Sequence, residues 1–279
     1  MILVRFSRMA VAACNEMEWL VRVSSKEERI GQVPGTEAPG LTVPQHQRNA
    51  HTARGRNLAY MVQAGKRLGV ESELRILSFG CSSGEECLDF ADVFPRARIV
   101  GVDLNAKALQ KAQALDHPRV HVMNSTEDNI AASGPYDIIF AMNVLCLHPL
   151  PPGTETLASA YPFALFESAI QLLDAQLKPG GVLGIYNSHY FLDDAEVFAH
   201  YAPIADDHLN NGWLPKYRPD GELATRIVFQ FDGQLRSRDE WLALIATDYA
   251  RRKDEAWHEW IDPDVYSGRF TDVTLWEKS

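Results

Sequence analysis

The stretch "LRILSFGCSSGEECLDFADVFPRARIVGVDLN", residues 74–105, decides how this chain is read. An apolar run, Leu74 to Phe79, feeds the turn Gly80-Cys81-Ser82-Ser83-Gly84. A helix-like stretch follows, then the β-branched run Ile99-Val100-Gly101-Val102, which ends at Asp103. The order is strand, glycine turn, helix, strand, acid. In an open parallel sheet, ligands sit beyond the carboxyl ends of the strands. Gly80 and Gly84 therefore mark places where backbone can approach a ligand closely. Asp103, at the end of the neighbouring strand, is placed to accept two hydrogen bonds from ribose hydroxyls. The stretch implies a nucleoside-bearing cofactor.

The turn also says which one. A dinucleotide site shows G-x-G-x-x-G, whose second glycine admits the pyrophosphate to the helix N-terminus. Here Ser82 stands at that position, and the spacing is Gly80-x-x-x-Gly84. The helix opens with Glu85 and Glu86, which suit its dipole but repel a pyrophosphate. They do not repel a sulfonium or an α-ammonium group. The reading is S-adenosyl-L-methionine rather than NAD or FAD.

These residues resemble the class I S-adenosylmethionine-dependent methyltransferases over roughly residues 70–190. "ILSFGCSSG" matches their first motif and "VGVDLN" their second. "VHVMNSTED" resembles the third, "YDIIFAMNVLCLH" the fourth, and "LLDAQLKPGGVLGIYN" the helix, turn and fifth strand. "GCSSGEE" with "IIFAMNVL" is also similar in part to the chemotaxis receptor methyltransferases. That family inserts a small β-subdomain before its third strand, for which "ALQKAQALDHPRVHVM" leaves no room, and Met142 replaces its arginine. The resemblance implies an α/β fold, a doubly wound Rossmann-like sheet with an N-terminal helical segment and a C-terminal extension. It implies cofactor contacts from Gly80, Cys81, Ser82, Gly84, Glu85, Asp103 and Leu104. Ser125 or Thr126 would read the adenine amino group, and Asn143 would lie above the methionine portion. Ser78 stands where many relatives carry an acid, so Glu85 or Glu86 would hold the ammonium instead.

His148 and His189 both follow parallel strands at the ligand edge, so either is a candidate general base. Each is weighed against a purely structural role. Arg54 and Arg56 lie, with His46 and His51, on a segment that often closes over the cofactor in this fold. Either arginine could pair with the methionine carboxylate. Tyr161, Tyr190, Trp213 and Tyr217 are candidates for an aromatic pocket or for core. Ala141-Met142-Asn143 supplies no clustered carboxylates, so no metal is expected.

The formal charge is −10 over 279 residues. No dense Lys/Arg run is present, and without a basic stripe to neutralise phosphates no nucleic-acid partner is expected. Cys14, Cys81, Cys87 and Cys146 show no C-x-x-C spacing, hence no zinc site or disulfide framework. The apolar stretch after Arg8 falls short of the roughly 7–15 residues of a signal h-region, and no segment reaches the roughly 18 of a membrane span. Cytoplasmic location without membrane association is the expectation; the oligomeric state stays open.

Residues 1–40 read as an irregular leader, and 41–279 as a single methyltransferase domain. Its cofactor core covers about 70–190, with lid and substrate-side elements at 41–69, 148–162 and 191–270. Strands are predicted at 74–79, 98–103, 119–124, 136–142 and 181–187, and helices near 85–93, 105–115 and 163–177. Helical spacing also marks 45–68, and Ser237 to Glu240 forms a capping box. "TRIVFQF" (225–231) and "DVTLWEK" (272–278) are the candidates for the remaining sheet strands. The predicted activity is methyl transfer to an O or N of a small-molecule acceptor. Alternatives are a protein carboxyl or side-chain methyltransferase, and a non-catalytic cofactor-binding subunit.

Overall fold

Successive side chains of a strand point to opposite faces, and the central strands of this protein are apolar on both. In the computed structural model these are β1 (Arg75–Phe79), β2 (Arg98–Asp103), β4 (Tyr136–Met142) and β5 (Leu177–Tyr186), with β3 (Val120–Asn124) at the edge. Ile76, Ile99, Ile138, Phe140 and Val182 enter one core. Leu77, Val100, Val102, Ile139, Ala141 and Leu183 enter a second on the other face. A sheet apolar on both faces must be covered on both. Helices α1 (Leu58–Leu68), α2 (Glu85–Val93) and α3 (Ala106–Gln113) supply Met61, Phe90 and Leu109 to the first core. Helices α4 (Glu127–Ser133) and α5 (Phe163–Gln176) supply Ile130, Phe166 and Ile170 to the second.

The structure describes residues 43–151, 154, 156–204, 211, 212, 214–224, 227–231, 234–237, 240, 243, 258–261 and 273–279. The chain divides into two compact units. One comprises Ala38–Ala224 with Gly268–Ser279, the other Met1–Glu37 with Thr225–Ser267. In the first, seven strands run in the order β3-β2-β1-β4-β5-β10-β6, where β6 is Tyr201–Pro203 and β10 is Leu275–Lys278. Strands β1 to β5 are parallel, and β10 is antiparallel to both β5 and β6. This is a doubly wound, Rossmann-like α/β sheet with one antiparallel strand inserted near its edge. In the second unit, β7 (Ile227–Phe231), β8 (Gln234–Ser237) and β9 (His258–Ile261) form an antiparallel sheet.

The predicted elements hold with instructive shifts. "DVTLWEK" does supply a strand of the large sheet, but "TRIVFQF" does not. The sequence sets only Asp232-Gly233 between β7 and β8, the composition favoured for a two-residue hairpin. Ile227–Phe231 therefore finds its partner locally, and the edge position goes to the three-residue β6. Helix α4, absent from the sequence reading, is only seven residues long and starts on the Thr126 cap, whose Oγ accepts from Asn129 N at 3.1 Å. The helical pattern of 45–68 materialises only from Leu58. Strand β5 begins at Leu177 and carries Lys178–Gly181 as an irregularity opposite Tyr136 to Ile138. The leader, Trp213, Trp241, Trp257 and most of the helix expected after Ser237 lie outside the described residues. Among the described residues no helix is long and apolar enough to cross a membrane.

Candidate active site

Three left-handed residues shape the turn after β1: Gly80 (φ 79°), Ser82 (φ 50°) and Gly84 (φ 91°). The amides of Gly80 and Cys81 both donate to Val102 O, at 2.8 and 2.9 Å, and tie the turn to β2. Asp103 sits beside it at the end of β2. Its Oδ2 accepts from Ser82 N and its Oδ1 from Asn105 N, each at 2.7 Å. A carboxylate offers about four lone-pair sites, so two remain on Asp103, enough for a ribose diol. Asn105, not Asp103, caps α3, accepting from Lys107 N and Ala108 N.

The glycines serve a purpose the sequence reading did not give them. A Cβ on Gly80 would fall 2.5 Å from Val144 Cγ2, and one on Gly84 would fall 2.6 Å from Leu115 Cδ1. Protein side chains, Val144 and Leu115, take the space beside these backbones. Cys81 likewise faces inward: its thiol is buried with Cys87 in the core, and the neighbouring Cys87 thiol and burial hold it protonated. Only its backbone belongs to the turn.

The two glutamates of α2 separate. Glu85 is half-buried and accepts from Ser83 Oγ at 2.8 and 3.0 Å. Glu86 turns inward and is 9% exposed. Ser78 Oγ donates to it at 2.7 Å, and the Asn57 amide donates to its other oxygen. Ser78, lacking an acid of its own, thus holds one delivered from α2 to the end of β1. Burial raises the Glu86 carboxyl above its ordinary range, with the bonds from Ser78 and Asn57 and the charge of Arg56 opposing.

Residues 43–57 form a strap fastened to the turn after β1, to α2 and to the segments that follow β3 and β4. Val43 N donates to Ser125 O, the His46 ring meets Tyr161 Oη at 2.6 Å, and Gln47 Nε2 donates to Cys146 Sγ at 3.3 Å. Ser82 Oγ donates to Ala50 O, and both Arg54 Nε (2.5 Å) and Gly55 N (2.7 Å) donate to Asp89. Arg54 also pairs with Asp92, so its charge is used on the outside of α2 and not over the turn. Arg56 is the arginine whose charge reaches inward, acting on Glu86, His51 and Cys146. Burial drives the His46 pKa down to about 4, and its Nε2 has no partner among the described residues.

Of the adenine-side candidates, Ser125 is buried under the strap, its amide bonded to Asp103 O at 3.0 Å. Thr126 is spent as a helix cap, and Leu104 is half-buried next to Asp103. Asn143 ends β4 in a left-handed conformation (φ 59°) and accepts from Asn187 Nδ2 at 2.7 Å. His148 is half-buried at the end of the turn leaving β4. His189 has another occupation. It is fully buried, with Nε2 3.0 Å from Leu147 O and Nδ1 3.1 Å from Pro215 O, and burial lowers its pKa. Both carbonyls only accept, so the neutral ring donates to one of them, and His189, a candidate base from its strand-end position, lies enclosed between two loops and not exposed at the ligand edge. Tyr161 and Tyr190 stack (centroids 6.0 Å) and Tyr190 Oη donates to Tyr161 O, as part of the core. Asn57 and Asn187 were not assigned roles from sequence, and His46 was placed only on the segment that closes over the cofactor. Asn187 carried a usable signal, since it ends β5 as Asn143 ends β4.

The family described as "Methyltransferase domain" matches residues 76–163, from β1 through the first residue of α5. The chain is 32% identical over 120 residues to a trans-aconitate 2-methyltransferase of Azoarcus sp. (strain BH72), covering 43% of this chain and 41% of that one. It is 27% identical over 111 residues to a trans-aconitate 2-methyltransferase of Deinococcus radiodurans, covering 40% and 36%. The match thus spans about two fifths of these curated relatives. Among solved structures, the cyclopropane synthase MmaA2 of Mycobacterium tuberculosis aligns over 47% of this chain and 44% of its own, at 18% identity and a TM-score of 0.34.

Proposed function

We propose that this protein transfers the methyl group of S-adenosylmethionine to an O or N of a small-molecule acceptor. The observation that carries this is the pair of carboxylates at adjacent strand ends. Asp103 has two lone-pair sites left for ribose, and Glu86 is held inward by Ser78 and Asn57 where an ammonium needs a counter-charge. Both lie beside a turn whose double glutamate disfavours a pyrophosphate. The cofactor, when bound, supplies a methyl group already activated by its sulfonium. The chain's own work is then to hold and exclude. Asp103 grips the ribose, Glu86 faces the ammonium, Arg56 faces the carboxylate, and Ser125 meets the adenine edge. The strap over the turn keeps water out. Correct placement of reactants supplies roughly 7–11 kcal/mol of barrier reduction. His148 takes the proton where the acceptor must lose one, a contribution of about 10²- to 10⁴-fold.

An acidic acceptor suits the far side of the site. Lys216, buried, donates to Ser188 O at 2.7 Å and Ser188 Oγ at 3.0 Å. The two charges acting on the Cys146 thiol, in the turn after β4, are those of Lys216 and Arg56, both cations. Both curated relatives are named for trans-aconitate, a small carboxylate, which makes it the first acceptor to assay.

Calorimetric titration with S-adenosylmethionine and S-adenosylhomocysteine, with NAD as control, tests the reading. Asp103→Ala removes two charge-assisted hydrogen bonds and should weaken both sulfur cofactors about 100-fold. Glu86→Gln should weaken them more than Glu85→Gln. Absence of binding by the wild-type protein, or equal affinity in Asp103→Ala, would overturn it.

A further inference from the structure

Asn143 and Asn187 end adjacent parallel strands, and both take the left-handed conformation (φ 59° and 57°) that Asn tolerates better than most residues. Asn187 is clamped from several sides. Its amide donates to Asn211 O at 3.2 Å, and a Cβ on Gly212 would overlap its carboxamide. Its Oδ1 accepts from Leu214 N at 3.2 Å. That last bond fixes the polarity of the chain that follows. A backbone N–H only donates, so the Asn187 oxygen must face Leu214 and its NH2 must face Asn143. The atom of Asn143 that receives this NH2, at 2.7 Å, must then be its oxygen. The Asn143 NH2 is left pointing the other way. It is buried and has no hydrogen-bond partner among the described residues. An orphaned buried donor destabilises a fold, which is tolerated where a ligand completes the bond.

We propose that Asn187 is a positioning residue: it locks the Asn143 carboxamide with its NH2 toward the acceptor side of the site, which therefore takes an acceptor presenting an oxygen lone pair there. The inference rests on the methyltransferase reading above and adds the polarity of its acceptor contact. The donor lies three residues before Cys146, whose thiol feels the charges of Lys216 and Arg56. A carboxylate, carbonyl or phenolate oxygen fits it, whereas a protonated amine at that point would meet a donor.

The polarity can be inverted without removing either side chain. In Asn187→Asp, one carboxylate oxygen still accepts from Leu214 N, and the other forces Asn143 to rotate its NH2 inward. Asn143 then offers the site its oxygen. Asn143→Asp has the same effect by a different route, and either residue retains the tolerance of Asx side chains for left-handed backbone. The test uses the full chain with ¹⁵N-labelled asparagine side chains, first saturated with S-adenosylhomocysteine, then titrated with trans-aconitate and, separately, acetate. The Asn143 side-chain amide should move when at least one of these carboxylates is added. The affinity of that carboxylate should fall about tenfold or more in both variants, the loss of one hydrogen bond to a charged group. A shift complete with S-adenosylhomocysteine alone makes Asn143 a cofactor contact and overturns the proposal. So does an unaltered carboxylate affinity in Asn187→Asp, or an Asn143 resonance that neither carboxylate moves. Failure of the wild-type chain to bind S-adenosylhomocysteine is a separate result: it removes the methyltransferase reading, and this inference with it.

Discussion

His46 gives the strap a stability that depends on pH in a calculable way. Its ring is 4% exposed and bonded to Tyr161 Oη, and burial lowers its pKa from 6.5 to about 4. In the unfolded chain the imidazole binds a proton as pH falls through 6.5, whereas in the folded chain it resists until about 4. Between those values the unfolded state holds more protons, so stability rises with pH and is lost as pH falls. Linkage over these two pKa values gives a loss of about 2 kcal/mol between pH 7 and pH 5. Other groups titrate in the same window, so the measurement is a difference. Urea denaturation of the wild type and of His46→Asn at pH 7 and pH 5 isolates it, because asparagine can still bond Tyr161 but does not titrate. The wild type should lose about 2 kcal/mol more than the variant. Equal losses, within about 0.5 kcal/mol, would show that His46 is not held neutral in the fold and refute the reasoning. Amide exchange at Val43 and Gly55, whose N–H groups fasten the strap to Ser125 and Asp89, distinguishes local strap release from global unfolding.

Two further outcomes are expected. Gly80→Ala places a side chain at φ 79° and against Val144, so it should destabilise by about 2 kcal/mol or more in the same assay. Adding Val144→Ala should recover the part due to overlap, and full stability of Gly80→Ala alone would contradict the turn geometry. The Cys146 thiol is buried and pushed up to about 12, and Cys81 and Cys87 are buried beside one another. Mass-spectrometric mapping after treatment with a thiol reagent at pH 8 should find all three unmodified in the native protein and modified in urea. Native labelling of Cys146 would show that the strap bond from Gln47 does not cover it.

How much of this was legible in the chain follows from how local each cause is. The alternation of apolar strands and helices, the glycine turn and Asp103 all lie within 74–105, and short-range rules suffice for them: strand period, left-handed turns and an acid at a strand end. Helices α2 and α5 and strands β2 and β4 came out at or within a residue of their predicted limits for the same reason. Sequence could also place Asn143 at the ligand edge, because it ends a strand of a parallel sheet.

Tertiary packing decided the rest. Glu85 and Glu86 are neighbours with the same chemistry. Only the rotation of α2 against β1 turns Glu86 inward to Ser78 and Asn57 and leaves Glu85 at the rim. His148 and His189 looked alike as strand-end histidines. The approach of Leu147 and Pro215, from two separate loops, is what occupies His189. Likewise, three residues, Tyr201–Pro203, carry too few side chains to show a strand period, so the sheet edge emerged only when β10 laid an antiparallel partner beside them. The orientation of Asn143 depends on Asn187, and through it on Leu214, 71 positions along the chain. A sequence specifies what each residue can donate or accept, but the direction in which an amide points is set by the partner that the fold brings to it.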